Sequence, residues 1–141
     1  MDCLPEKNVI GGAPFNVAIN LKRLGNKVQF VSQIGNDDYG RTINALAKKE
    51  QIEKSLAISK THQTGFVSVD FVLDEPKYTI HENTAWHFIP FNDVEEHPEY
   101  FVFGSLATFF EPNKQVFKRY NDQLDHTIFV CDLNLRAPFY S

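Results

Sequence analysis

Residues 14–24 carry Val17, Ala18, Leu21 and Leu24 at helical spacing, which makes one apolar stripe. Pro14 suits the first helical position, where its missing N–H costs nothing, and Gly25 is placed to end the helix in a left-handed cap. The stretch from Lys27 to Ile34, with VQFVSQI, then predicts a strand. Gly35-Asn36-Asp37-Asp38 predicts a turn whose aspartates can cap a helix reaching about Glu50, with Ile43, Leu46 and Ala47 on its apolar face. A short strand follows near residues 56–58.

The middle of the chain changes character, to residues that are mostly β-branched or aromatic. Phe66, Val67, Val69, Phe71 and Val72, the turn signal Asp74-Glu75-Pro76, and an extended run from Lys77 to His81 predict a β-hairpin. Alternation returns afterwards. A strand is expected at Tyr100–Phe103 and a helix opened by Pro112 that carries Val116, Phe117, Tyr120 and Leu124. The strand at Tyr100–Phe103 reads as a buried one, and Thr127–Asp132 is a second apolar strand. Strand, helix and strand at this spacing imply parallel pairing in an α/β sheet. No strand is predicted ahead of Gly11. The chain opens in a polar loop and closes after a strand where a crossover helix would start, so it reads as part of something longer.

The chain has 141 residues, of which 43% are apolar and 23% charged, so a packed core is expected rather than disorder. The net charge of −4 and the lack of any Lys/Arg run beyond isolated pairs such as Lys48-Lys49 argue against a nucleic-acid surface. No apolar stretch approaches the roughly 20 residues that span a bilayer, and the first residues lack a signal peptide's basic start. The cytoplasm is the default compartment. Cys3 and Cys131 stand far apart outside any CxxC pair and are expected as reduced thiols, and the five histidines form no HExxH pattern, so no metal site is expected.

Gly11-Gly12-Ala13-Pro14-Phe15-Asn16 holds the densest chemistry. Paired glycines ahead of a helix allow positive φ and a close approach of ligand to backbone N–H groups, and an amide at Asn16 can both donate to and accept from a hydroxyl. The same residues would also serve a plain glycine turn with Asn16 merely exposed. Neither GxGxxG nor GxxxxGK[ST] is present, so neither a dinucleotide fingerprint nor a Walker loop is read here.

GGAPFNVAINLKRLG resembles the first signature of the PfkB (ribokinase-like) carbohydrate kinases. Gly35-x-Asp37-x-x-Gly40, Thr64-Gly65, Ala85-Trp86, Phe103-Gly104-Ser105-Leu106 and Asp132-x-Asn134-x-Arg136 are similar to later blocks of that family, in the same order. The likeness runs the length of the chain and is nearest the fructokinase branch. It implies a ribokinase-like, Rossmann-type three-layer α/β fold over residues 1–141, truncated, with a small β lid inserted at about 62–90. It also implies ATP-dependent transfer of a γ-phosphate to a sugar hydroxyl with Mg²⁺, fructose being the first choice and ribose, 2-keto-3-deoxygluconate or a nucleoside the alternatives.

By the same resemblance Asp2, Gly11, Gly12 and Asn16 are sugar contacts. The lid hairpin can place Phe66 or Phe71 over the sugar, Phe66 being the candidate kept. Asn134 and Arg136 lie at the carboxyl end of a strand, where Arg136 can meet a phosphate or an anionic substrate group and Asn134 is on the phosphate or substrate side. Asp2 is otherwise a solvated terminal residue, Arg136 a surface cation paired to a local acid, and Phe66 ordinary sheet packing. Two departures matter. His87 stands where the family's lid has aspartate, and the D-T-x-G-A-G-D signature, whose last aspartate is the family's general base, is not in this sequence. No catalytic residue is therefore assigned within these 141 residues. Catalysis and tight ATP binding are not expected of this stretch by itself. A non-catalytic sugar-binding module, or one that dimerises through the lid, is the alternative reading.

Overall fold

The computed structural model describes residues 1–4, 7–72 and 75–135. Its elements in chain order are β1 (Asp2–Cys3), β2 (Asn8–Val9), α1 (Ala13–Arg23), β3 (Ser32–Gly35), α2 (Asp38–Lys49), β4 (Leu56–Ser59), β5 (Val67–Val72) and β6 (Glu75–Ile80). After a 3₁₀ turn at Ala85–His87 come β7 (Tyr100–Gly104), α3 (Ser105–Phe109), α4 (Glu111–Gln123) and β8 (Ile128–Asp132). The class is α/β, with two parallel ladders and one mixed, mostly antiparallel sheet.

The helices follow from their local chemistry. Gly12 at φ 107° feeds α1, Pro14 lies in its first turn, and Gly25 at φ 88° follows its end. Phe15, Ala18 and Ile19 are its buried face. Asp37 caps α2 by accepting from Gly40 N, and Ile43 and Ala47 are buried on its inner face. These residues meet Met1, Ile34, Ile52 and Leu56 in the main core. A second, aromatic cluster joins Phe101, Phe103 and Phe129 of the β7–β8 ladder to Phe117 and Tyr120 of α4.

The expected hairpin forms, with Val67 opposite Ile80 and Val72 opposite Glu75. It belongs to a four-stranded sheet in the order β2-β1-β5-β6. The other two sheets are parallel pairs, β3 with β4 and β7 with β8. Among the described residues β3 and β7 share no hydrogen bonds, and a cleft of about 1530 Å³ runs between them.

Five details differ from the sequence expectation. On α1 the expected stripe is not the buried one, since Val17 and Leu24 are 37% and 78% exposed while Phe15, Ala18 and Ile19 turn inward onto the core. β3 starts at Ser32 rather than Lys27, since β4 offers partners only for Ser32–Gly35; Val28 and Phe30 pack on the core without a ladder. β7, expected as a buried strand, is not buried on both faces. Phe101 and Phe103 meet Phe117 on one side, while Tyr100 and Val102 on the other are 54% and 39% exposed, so α4 covers only half of what a two-faced apolar strand can bury. The short α3 has no counterpart among the expected elements. Asp2, expected without a strand, lies on β1, paired with Val9 on one side and Val67 on the other.

Candidate functional site

The turn from β2 into α1 places Gly11 directly over Asp2. A Cβ built on Gly11 would stand 2.0 Å from Asp2 Oδ2 and 2.5 Å from Cγ, so only glycine lets that carboxylate lie against the backbone. Gly12 needs its own glycine for a different reason, its φ of 107°. Asn16 follows one turn into α1, exposed, its backbone N–H bonded to Gly12 O at 3.0 Å. All four residues line the cleft.

The β5–β6 hairpin supplies another wall. Phe66 lines the cleft while stacked on His81, with ring centroids 4.0 Å apart, and it packs on the main core beside Tyr39. It is thus both packing and wall. His81 is in turn held by Ser68, whose Oγ lies 2.8 Å from His81 Nε2. The side chain of Phe71, the other hairpin phenylalanine, lies outside the described residues.

Trp86 closes the next side. A Cβ on Gly65 would come within 2.2 Å of the Trp86 ring, so glycine lets the indole press against the hairpin root. Asn113 fixes the backbone behind it. Its Nδ2 donates to Trp86 O and Ala107 O, each at 2.9 Å, and its Oδ1 accepts from Ile89 N at 2.9 Å. Gln33, with its amide nitrogen turned to the carbonyls, donates to Phe88 O at 2.6 Å and Ala85 O at 2.9 Å. Neither residue is among the sequence candidates. The available signal is Asn113 itself, a polar residue at the start of the apolar stripe 113, 116, 117, 120.

Asp132, the last residue of β8, and Asn134, just past it, reach the same cleft from the far side. Asn134 N donates to the buried Ser105 Oγ at 2.9 Å. Arg136 lies outside the described residues. Six of the seven residues singled out from sequence therefore share one cleft: Asp2, Gly11, Gly12, Asn16, Phe66 and Asn134.

His87 does not face that cleft. It is 3% exposed, its Nδ1 accepts from Thr84 N at 3.2 Å, and the Phe110 ring lies 3.8 Å from its own. Burial, helped by nearby His62, pushes its pKa down to about 4. The imidazole is a neutral, inward structural group in the capping box of the 84–87 turn.

The wall around Asp2 offers carboxylate and amide groups, which suit a polyhydroxylated ligand: a carboxylate can accept from two neighbouring hydroxyls, and an amide pairs with either sense of hydroxyl. A triphosphate needs concentrated N–H or cationic donors, which that wall lacks. Among the described residues no three metal-ligating side chains come together. The donors around Asp2 suit hydroxyl groups better than a triphosphate or Mg²⁺. No helix among the described residues is long and apolar enough to cross a membrane.

A family model described as pfkB family carbohydrate kinase matches residues 6–140. An uncharacterized sugar kinase of Pyrococcus horikoshii is 28% identical over 136 residues, spanning 92% of this chain and 44% of that relative. Its crystal structure superposes with a TM-score of 0.82 at 23% identity, over 98% of this chain and 51% of that one. A fructokinase of Solanum tuberosum is 26% identical over 140 residues, 93% of this chain and 44% of the relative. The structure of a Vibrio cholerae fructokinase, solved with fructose, ADP and calcium, gives a TM-score of 0.76 at 24% identity over 99% of this chain and 49% of that one. The chain spans about half the length of the proteins it matches.

Proposed function

The chain belongs to the pfkB family of carbohydrate kinases, and from that premise we propose that it carries the sugar pocket of a full-length ATP-dependent kinase acting on fructose. The observation that carries the reading is the Asp2–Gly11 contact, which puts a carboxylate, a positive-φ glycine and the Asn16 amide on one wall. Asp2 accepts from two sugar hydroxyls in this reading, Asn16 pairs with a third, and Phe66 and Trp86 cover the ring. The hairpin of β5 and β6, within about 62–90, is the lid. Asn134, just past β8, serves the substrate, and so does Arg136. Fructose is favoured because relatives along the chain are named fructokinases; ribose, 2-keto-3-deoxygluconate and nucleosides are the competitors.

Phosphoryl transfer is mainly positioning and charge stabilisation. In the full-length protein ATP supplies the phosphoryl group and Mg²⁺ offsets its charge. These 141 residues bring, orient and cover the sugar, and do not bind nucleotide tightly on their own. We place the protein in the cytoplasm.

Homodimerisation through the lid is a second reading, favoured by β6 standing at the edge of its sheet with Tyr78 52% exposed. The deciding experiment is a panel of these four substrate classes with the full-length gene product and its Asn16→Ala variant. Fructose should show the highest kcat/KM. Asn16→Ala should raise the fructose KM by around tenfold, the loss of roughly 1–2 kcal/mol of hydrogen bonding. An unchanged KM removes Asn16 from the pocket, and a better substrate than fructose overturns the assignment.

A further inference from the structure

Two stretches that look unrelated in sequence meet in one clamp. Asp37, in the turn between β3 and α2, accepts at Oδ1 from the Thr64 hydroxyl at 2.6 Å and from Gly40 N at 2.8 Å. Its Oδ2 accepts from Thr64 N at 2.7 Å. The Thr64 hydroxyl is itself an acceptor for Gly35 N at 2.9 Å, so a relay runs from Gly35 through Thr64 to the carboxylate. Thr64 is 2% exposed.

The flanking glycines make room for this contact. A Cβ on Gly35 would stand 2.4 Å from Thr64 N. One on Gly40 would stand 2.0 Å from Gly35 O and 2.8 Å from Thr64 Oγ1. The spacing of Gly35-x-Asp37-x-x-Gly40 is thus the spacing that admits Thr64. Burial alone would raise the Asp37 carboxyl, but the hydrogen bonds from Thr64 and Gly40 outweigh it and hold it below the ordinary carboxylate range.

The clamp sits where the hairpin leaves the α/β part. Gln63 O accepts from Ala85 N at 2.8 Å, which ties the outgoing chain to the returning one beside Thr64. Thr84 Oγ1 donates to His81 O, and His81 N donates to Phe66 O. Gly65 and Phe66, the two residues between the clamp and β5, are the ones that meet Trp86 and the cleft.

We propose that Asp37 and Thr64 are positioning residues that form the fixed pivot of the lid, setting where Gly65 and Phe66 present themselves to the sugar. The inference rests on the sugar-kinase reading. A carboxylate is required because three donors converge on it; an asparagine would turn its NH₂ toward at least one of them and leave that donor unpaired. Threonine is required because its hydroxyl gives to Asp37 and receives from Gly35 at once. Serine can do the same, and valine cannot.

The test uses the full-length protein with Asp37→Asn, Thr64→Val and Thr64→Ser, measuring the KM for fructose, the KM for ATP, kcat, and protease cleavage within residues 66–81. Asp37→Asn and Thr64→Val should raise the fructose KM by about tenfold and speed hairpin cleavage, with the ATP KM within about twofold of the parent. Thr64→Ser should restore both readouts to near the parent. If Asp37→Asn fails to fold, Thr64→Val against Thr64→Ser decides alone, since their shapes hardly change. Lowered thermal stability with unchanged fructose KM and unchanged cleavage would make the clamp merely structural and overturn the proposal. A parent that phosphorylates no sugar would refute the kinase reading instead. The cleavage comparison would still read the pivot.

Discussion

Lowering the pH from 7 to 5 should cost the folded chain about 2 kcal/mol through His87 alone. Its ordinary pKa is 6.5, and burial among Trp86, Phe88 and Phe110, with His62 nearby, pushes it down to about 4. Below 6.5 the unfolded chain takes up a proton that the folded one refuses. Stability is therefore fully present above about 6.5, falls as the pH drops, and stops falling below about 4. The difference in proton binding at pH 5 amounts to about 2 kcal/mol, out of about 3 kcal/mol across the whole window. The geometry agrees with the sign. Nδ1 accepts from Thr84 N, so a second ring proton would meet an N–H donor, and Nε2 has no partner among the described residues to share the charge. The assay is denaturant unfolding at pH 7 and pH 5 for the parent and His87→Asn. Asparagine can keep the acceptor for Thr84 N but does not titrate. Its smaller volume costs stability at both pH values, and that offset cancels in the difference. The parent should lose about 2 kcal/mol more than the variant between the two pH values. Parallel losses would refute the reasoning.

Gly11→Ala tests the Asp2 wall: a Cβ 2.0 Å from the carboxylate must displace it, so the sugar KM should rise by at least about tenfold while the ATP KM holds. Steady-state kinetics with each substrate varied in turn checks this, and an unchanged sugar KM would take Asp2 out of the pocket. Asn113→Ala strips hydrogen bonds from Trp86 O, Ala107 O and Ile89 N, at about 1 kcal/mol each. The denaturant midpoint should fall by an amount worth about 3 kcal/mol at unchanged slope. A loss under about 1 kcal/mol would mean that water replaces the amide without cost.

Local rules made much of this molecule legible in its sequence. Pro14 and Gly25 bound α1 as expected, although the buried face falls on Phe15, Ala18 and Ile19 rather than on the stripe from Val17 to Leu24; the β-branched and aromatic run with its turn signal marks the hairpin; Asp37 is readable as a cap because a carboxylate one residue before a helix has orphan N–H groups to meet. Gly11, Gly12 and Asn16 could be singled out because they fall within six positions of one another. What sequence could not supply was distance between remote segments. That Asp2 lies against Gly11, that the Asp37 cap also grips Thr64, and that Asn113 holds Trp86 are facts of packing, set by which faces must be buried together. His87 shows the limit most clearly. As a letter beside Trp86 it marks a missing lid carboxylate, whereas the fold turns it inward, where desolvation decides its charge and makes it a structural group.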